Sequence, residues 1–219
     1  MQIIAHAHNA FTDKFGIPRQ PLTDSVIETR IVFTPPFRHP DAIRGIEGFS
    51  HIWLLWEFEH SQPSKSLTVR PPRLGGNTRV GVFATRSPFR PNPIGLTCVR
   101  LLRIENGELI VAGADLRDGT PIYDIKPYLP WADSHPDASG GFATQARDYR
   151  LRVDWSQLTE ASVAITERQK QALEEILSQD PRPSYQNDPE RVYKLDFDKL
   201  NVAFRVIEDI LYVTEIHLI

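Results

Sequence analysis

The apolar positions of this chain fall mostly into short runs with a period of two, the spacing of strands with one buried face. Residues 25–33 (SVIETRIVF) form one such run, and residues 49–58 (FSHIWLLWEF) form a near-continuous apolar stretch carrying Trp53 and Trp56. The continuity of the second predicts a central strand buried on both faces. Residues 96–103 and 108–114 flank Asn106-Gly107, a dipeptide suited to a tight hairpin because both residues accept positive φ. His6 and His8 share one face of an N-terminal strand. Asp41 to Arg44 follow Pro40 as one helical turn stopped at Gly45. Prolines and glycines recur too often for a long helix before about residue 155, so a strongly bent or barrel-like sheet is the packing solution.

The pattern changes after residues 132–136, and Ala138-Ser139-Gly140-Gly141 reads as a linker. Residues 149–155 (YRLRVDW) alternate as an amphipathic strand. Thr166 with Gln169 makes a capping box that opens an amphipathic helix through Leu173, Ile176 and Leu177 to Ser178. Residues 180–185 (DPRPSY) break that helix, and residues 202–206 and 210–219 bracket Glu208-Asp209 as a terminal hairpin. The expected architecture is mainly β, with a β-barrel-like N-terminal domain over residues 1–136 and a small α+β C-terminal domain over residues 137–219.

Composition adds bounds rather than a function. The 219 residues are 41% hydrophobic and 24% charged, as expected of a globular chain with a real core. The first residues lack a basic region followed by a long apolar stretch, and no apolar run approaches a membrane span, so a cytoplasmic protein with no membrane partner is expected. Cys98, the single cysteine, excludes an internal disulfide and reads as a small buried strand residue. The histidines are scattered without the spacing of metal ligands, so no metal site is expected.

Charge placement changes the picture. From residue 60 to 104 there is no Asp or Glu, while Lys65, Arg70, Arg73, Arg79, Arg86, Arg90, Arg100 and Arg103 supply eight positive charges. The whole chain stands at −3, so the remainder carries −11. A guanidinium pairs bidentately with phosphate or carboxylate and stacks on bases, so the arginines call for an anionic, shaped partner. Prolines 71, 72, 88, 91 and 93 fix φ and remove donors, which presents these arginines on a pre-formed surface. The plain alternative is a solvated face whose counter-charges come from elsewhere in the fold.

Familiar cofactor fingerprints are missing: there is no GxGxxG, no GxxxxGK[ST], no HExxH and no GxSxG. A second loop, Asp115-Leu116-Arg117-Asp118-Gly119-Thr120-Pro121, brings carboxylates back after the hairpin. Alone it is a good turn; beside an arginine loop it could bind a cationic or hydroxyl-bearing ligand.

The strings GVFATRSPFRPNPIGLT (81–97), PRQP (18–21), FSHIWLLWEF (49–58), RPPRLGGN (70–77) and DLRDGTPIYDIKPY (115–128) closely resemble the TsaA-like family, also called TrmO or YaeB. DPRPSY (180–185) resembles that family's C-terminal domain, so the likeness covers almost the whole chain. The resemblance implies an S-adenosyl-L-methionine-dependent methyltransferase acting on the N6 nitrogen of threonylcarbamoyladenosine beside the tRNA anticodon. It also implies a β-barrel in place of a Rossmann fold, and a homodimer with its cofactor site near the subunit interface. Carried over motif by motif, cofactor contacts fall on Pro21, Leu22, Glu59, His60, Arg86, Leu96, Leu116, Arg117, Asp118 and Gly119. Two positions depart from the pattern: Leu22 stands where many relatives have glycine, and Glu59 precedes His60 where they have histidine directly after the phenylalanine.

For the chemistry, His60 or Glu59 would take the N6 proton and Asp118 would grip the ribose or amino acid end of the cofactor. Arg70, Arg73, Arg79 and Arg90 would meet tRNA phosphates, while Arg182 and Tyr185 would stack on an anticodon-loop base. On this division of labour, a chain cut after His135 keeps most of its cofactor binding but is impaired in tRNA methylation, provided the barrel and dimer persist. The alternative from another class is a non-catalytic RNA- or nucleotide-binding module.

Overall fold

The computed structural model describes residues 1–13, 15–18, 20–22, 24–58, 64–71, 74, 77–146, 149–183 and 188–219. In chain order the first eight strands are β1 (Ala5–His8), β2 (Glu28–Phe33), β3 (His51–Glu57), β4 (Thr68–Val69), β5 (Val80–Gly81), β6 (Ile94–Glu105), β7 (Glu108–Ala112) and β8 (Pro121–Pro127). Six of them close into a barrel in the order β1-β2-β7-β6-β3-β8, every neighbour antiparallel, while β4 and β5 pair as a ribbon inside the β3–β6 connection. Period-two alternation turns Ala5, Ala7, Ile31, Phe33, Ile52, Leu54, Trp56, Val99, Leu109, Val111 and Ile122 into the barrel core.

The run at 49–58 is therefore not buried on both faces. Ile52, Leu54 and Trp56 point in, while Trp53 and Leu55 are only half-buried on the outer wall. The wall has one interior, and the outer apolar side is covered in part by the chain after β8. Tyr128 packs on Trp53 at 5.8 Å, and the Trp53 indole donates to Asp133 in the short α1 (Pro130–Asp133) at 3.1 Å. Cys98 pairs with Trp53 across β3 and β6 and is half-buried rather than buried; burial and then the Asp133 charge push its thiol up. The hairpin forms as expected, with Asn106 (φ 51°) and Gly107 (φ 78°) between Glu105 and Glu108. Pro40–Ile43 forms a 3-10 turn ended by Gly45 at φ 86°.

The C-terminal domain is a four-stranded sheet in the order β10-β11-β12-β9, made of β9 (Arg152–Asp154), β10 (Tyr193–Phe197), β11 (Leu200–Ile207) and β12 (Ile210–Leu218). Helix α2 (Glu167–Leu177) packs Leu173, Ile176 and Leu177 into the same core as the strand residues Leu195, Val202, Phe204 and Val213. Its capping box is present: Gln169 N–H donates to Thr166 Oγ1 (3.2 Å) and Thr166 N–H to Gln169 Oε1 (3.0 Å). Strand β9 is shorter than its sequence pattern because Leu151 N–H goes to the Ser178 carbonyl at the end of α2 (2.8 Å), not into the sheet. Strand β10 was not anticipated from its five residues. Likewise β2 begins at Glu28 rather than at 25, since Val26 N–H donates to Glu175 on α2 (2.9 Å).

Among the described residues no helix is long and apolar enough to cross a membrane. Because barrel neighbours alternate in direction, the β1–β2, β3–β6 and β7–β8 connections all leave by the same mouth. At that mouth Leu22 N–H donates to the Gly113 carbonyl (3.1 Å), and Gly113 has φ +82°. A Cβ at Gly113 would stand 2.1 Å from the Leu22 carbonyl oxygen. Gly113→Ala is expected to cost about 1–3 kcal/mol in urea unfolding, since neither backbone can give way without losing this contact.

Candidate functional site

The β7–β8 connection is built as a turn pinned to the end of β1. Gly119 (φ +85°) donates its N–H to the Ala7 carbonyl (2.8 Å), and Thr120 N–H reaches back to the Arg117 carbonyl (3.2 Å). Asp118 N–H donates to the Phe11 carbonyl (2.8 Å). The Asp118 carboxylate accepts from Asn9 N–H (3.1 Å) and lies 3.1 Å from His8 Nδ1. Asn9 Nδ2 donates to the Leu116 carbonyl (2.9 Å) and to Thr29 Oγ1 (3.2 Å), and Arg117 Nε donates to the Thr12 carbonyl (3.0 Å). Asp118 and Gly119 are thus held, half-exposed, at the mouth. Leu116 is 1% exposed in the barrel core, so its side chain is closed to a ligand and its carbonyl is already engaged.

The arginine loop belongs to the β3–β6 connection, which leaves by the same mouth. Its prolyl bend is braced by Thr85 Oγ1 donating to the Val82 carbonyl (2.8 Å) and by half-buried Arg90, whose Nη1 donates to the Thr85 carbonyl (3.2 Å). Exposed Arg86 donates to Gln20 Oε1 (2.6 Å), which ties the loop to the PRQP segment, with half-buried Pro21 and Leu22 following. Leu96 is 55% exposed on the outer side of β6.

A residue that motif matching passed over completes the junction. Inside the barrel the Trp56 indole donates to Thr97 Oγ1 (2.9 Å), and Thr97 in turn donates to Asp115 Oδ1 (2.7 Å). Burial pushes the Asp115 carboxyl up, while the Thr97 hydrogen bond and the Arg86 charge pull it part of the way back. Asp115 opens the same string as Asp118, and spacing alone does not rank two carboxylates three residues apart in one loop. Tyr123 also donates its hydroxyl to Glu57 at the mouth end of β3.

The arginine surface separates into parts. Arg70 and Arg79 are exposed, and Arg79 Nη1 donates to Thr68 Oγ1 (2.7 Å) across the β4–β5 ribbon. Arg103 leaves the patch, because Glu28 (2.8 Å) and Glu105 (2.5 Å) close on it, and that pairing with Arg103 holds Glu28 below the usual carboxylate range. Arg182 is corrected from base stacking to bracing: it is 7% exposed, with Nε and Nη2 on the two Asp180 oxygens at 2.8 and 2.9 Å. Glu59, His60, Arg73 and Tyr185 lie outside the described residues. Among the described residues, no three His, Cys, Asp or Glu side chains gather as metal ligands.

Residues 6–134 match the tRNA-methyltransferase O N-terminal domain, and residues 148–219 match the TrmO C-terminal domain. The chain belongs to the tRNA-methyltransferase O family. It is 41% identical over 209 residues to the tRNA (adenine(37)-N6)-methyltransferase of Escherichia coli, covering 90% of this chain and 89% of that one. It is 43% identical over 206 residues to a putative S-adenosylmethionine-dependent methyltransferase, RcsF, of Pseudomonas aeruginosa, covering 91% and 89% of the two chains. The crystal structure of TrmO from P. aeruginosa superposes with a TM-score of 0.80 at 36% identity, covering 98% of this chain and 95% of that one. The closed barrel and appended sheet are thus shared with solved members of the TrmO family.

Asp115 gives the site a pH signature. A carboxyl whose folded pKa is raised stabilises the fold below its unfolded pKa, about 3.9, and loses that stabilisation as pH rises through the folded value. Asp115→Asn is therefore expected to leave the melting temperature unchanged in acid and to raise it progressively toward neutral pH. If Asp115 serves the site, the same variant loses roughly tenfold in turnover, the scale of one charge-assisted hydrogen bond.

Proposed function

We propose that this protein transfers the methyl group of S-adenosyl-L-methionine to the N6 nitrogen of threonylcarbamoyladenosine at position 37 of tRNA. The observation that carries the reading is the convergence of Arg86, Gln20, Asp115, Asp118 and Gly119 on one barrel mouth, in a chain of the TrmO family. The donor set fits the cofactor: Arg86 suits its carboxylate, Asp118 its ribose hydroxyls or ammonium, and Leu96 offers an apolar side for adenine. Gly119 has open space where a Cβ would stand, so a ligand can approach the backbone of the Asp118 turn.

Bound there, the cofactor supplies an electrophilic methyl on a sulfonium whose positive charge disappears as the methyl leaves. A carboxylate directly beside that sulfur would stabilise the ground state more than the transition state, so Asp118 is assigned to the ribose or amino acid end. The acceptor nitrogen is conjugated to a urea-like carbonyl and is a poor nucleophile. Glu59 and His60, which follow Phe58 after β3 in sequence, are assigned to hold or accept its proton, and alignment by the rigid mouth supplies much of the acceleration. Arg70, Arg73, Arg79 and Arg90 are assigned to tRNA phosphates. Phe83 (76% exposed) and Phe89 (63% exposed) border the arginine loop, and this exposed apolar surface supports a homodimer with its site near the subunit boundary. A tRNA-modifying role fits the cytoplasm.

The deciding experiment offers labelled cofactor and tRNA that either carries or lacks the threonylcarbamoyl group. Label should enter only the first, and equal labelling of both would remove the proposed acceptor. Arg86→Ala should reduce turnover by at least ~100-fold, through lost alignment, while unfolding stays cooperative. Near wild-type turnover at saturating cofactor would displace the site from this mouth. Binding to tRNA should weaken steeply with salt, and Arg70→Ala or Arg79→Ala should each lower the log–log slope by about 0.7–0.9.

A further inference from the structure

The β1–β2 connection, residues 9–27, works as a strap whose two ends build the mouth. At one end Asn9, Phe11 and Thr12 hold the Asp118 turn through the four hydrogen bonds from Asn9 N–H, Asn9 Nδ2, Asp118 N–H and Arg117 Nε. Toward the other end Gln20 holds Arg86 and Leu22 holds Gly113.

The strap is gripped by the C-terminal domain as well as by the rim of the barrel. Phe11, 2% exposed, meets Phe197 edge-on at 5.7 Å, and Asp198 N–H donates to the Ala10 carbonyl (3.0 Å). Gly16 approaches Leu195 so closely that a Cβ would stand 2.0 Å from Leu195 Cδ1. At the far end, Ser25 Oγ (2.7 Å) and Val26 N–H (2.9 Å) both donate to the Glu175 carboxylate on α2. Phe11 and Ile27 accordingly belong to the C-terminal apolar core, separate from that of the barrel. A long connection whose described residues form no strand keeps one shape only while such contacts hold it.

We propose that the C-terminal domain is a clamp on the cofactor site: by pinning the strap through Glu175 and Phe197 it fixes both the Asp118 turn and the Gln20–Arg86 contact. Glu175 and Phe197 are positioning residues, acting through the strap. The proposal rests on the cofactor reading of the mouth given above. It reverses the sequence expectation that a chain cut after His135 keeps its cofactor binding, since the cut removes every grip by the C-terminal domain just described.

The test uses full-length Glu175→Ala and Phe197→Leu with Glu175→Gln as the conservative variant. In the cofactor-free protein, hydrogen exchange at Asp118, Gly119 and Leu22 should quicken by at least about tenfold in the first two, with β6 and β7 unchanged. Well below the unfolding temperature, calorimetry should show the S-adenosylmethionine dissociation constant raised about tenfold in Glu175→Ala, with turnover recovered at saturating cofactor. Glu175→Gln, whose Oε1 still accepts from Val26, should recover part of that affinity. Wild-type exchange at the three amides overturns the clamp, and so does faster exchange spread evenly through the barrel, which marks general destabilisation. Loosened loops with an unchanged dissociation constant overturn the positioning role. If the wild-type protein binds no cofactor, the functional reading fails while the exchange measurement still decides the clamp.

Discussion

Closure of the barrel between β1 and β8 is the constraint on which the mouth depends. The seam is short: Ala5 pairs with Ile122 and His6 with Pro121. Proline has no N–H to give, so the ladder cannot run on through position 121. It is continued by Thr120 and Gly119 instead, with Ala7 N–H donating to the Thr120 carbonyl (2.9 Å) and Gly119 N–H to the Ala7 carbonyl (2.8 Å). The contact of Asp118 with His8 and Asn9 is the next rung. The turn that carries Asp118 is thus also the last stitch of the barrel, tied to β1 on one side and to the strap on the other.

The polar groups of the barrel interior gather under this mouth. Thr29, Thr97 and Thr120 are buried, and each lies next to a mouth residue. Thr29 receives Asn9, and Thr97 passes the Trp56 indole hydrogen bond on to Asp115. A buried hydroxyl costs stability unless its hydrogen bonds are made, and a fully connected chain of them fixes orientation. Trp56 can lie flat beneath the chain because Gly95 has no Cβ, which would stand 2.2 Å from its ring. Packing at one wall position therefore sets where Asp115 points, and Asp115 helps set the electrostatic surroundings of Arg86.

Much of this was legible in the sequence. The Asn106-Gly107 hairpin, the Thr166–Gln169 capping box and the terminal hairpin follow from local rules that act within a few residues, and they appear where those rules put them. The motif strings single out Arg86, Asp118 and Gly119, whose loops leave the barrel by one mouth. What escaped depends on side-chain partners, near or far along the chain, that no local pattern ranks. The continuity of the apolar run at 49–58 predicts burial on both faces, whereas a barrel wall has a single interior. Arg182 looked like a free guanidinium because its partner, Asp180, takes φ 54°, a turn that the flanking prolines do not announce. Strand β2 was overextended because the competing acceptor, Glu175, lies about 150 residues away, and no periodicity carries that distance.

The charge asymmetry takes its physical meaning from the acceptors chosen for each arginine. On the strands and the C-terminal domain, Arg30, Arg103, Arg168 and Arg182 close on carboxylates, so their charge is spent within the fold. Around the mouth the orienting acceptors are neutral: a Thr68 hydroxyl for Arg79, a Gln20 amide for Arg86 and a Thr85 carbonyl for Arg90. A neutral acceptor fixes the direction of a guanidinium without cancelling its field, and the proline-braced backbone keeps the ordering entropy low when an anion arrives. Asp115, half-buried and held by Thr97, is the carboxylate whose charge reaches Arg86, and burial raises its pKa against that attraction. The mouth consequently keeps a positive rim whose guanidiniums are oriented but not neutralised.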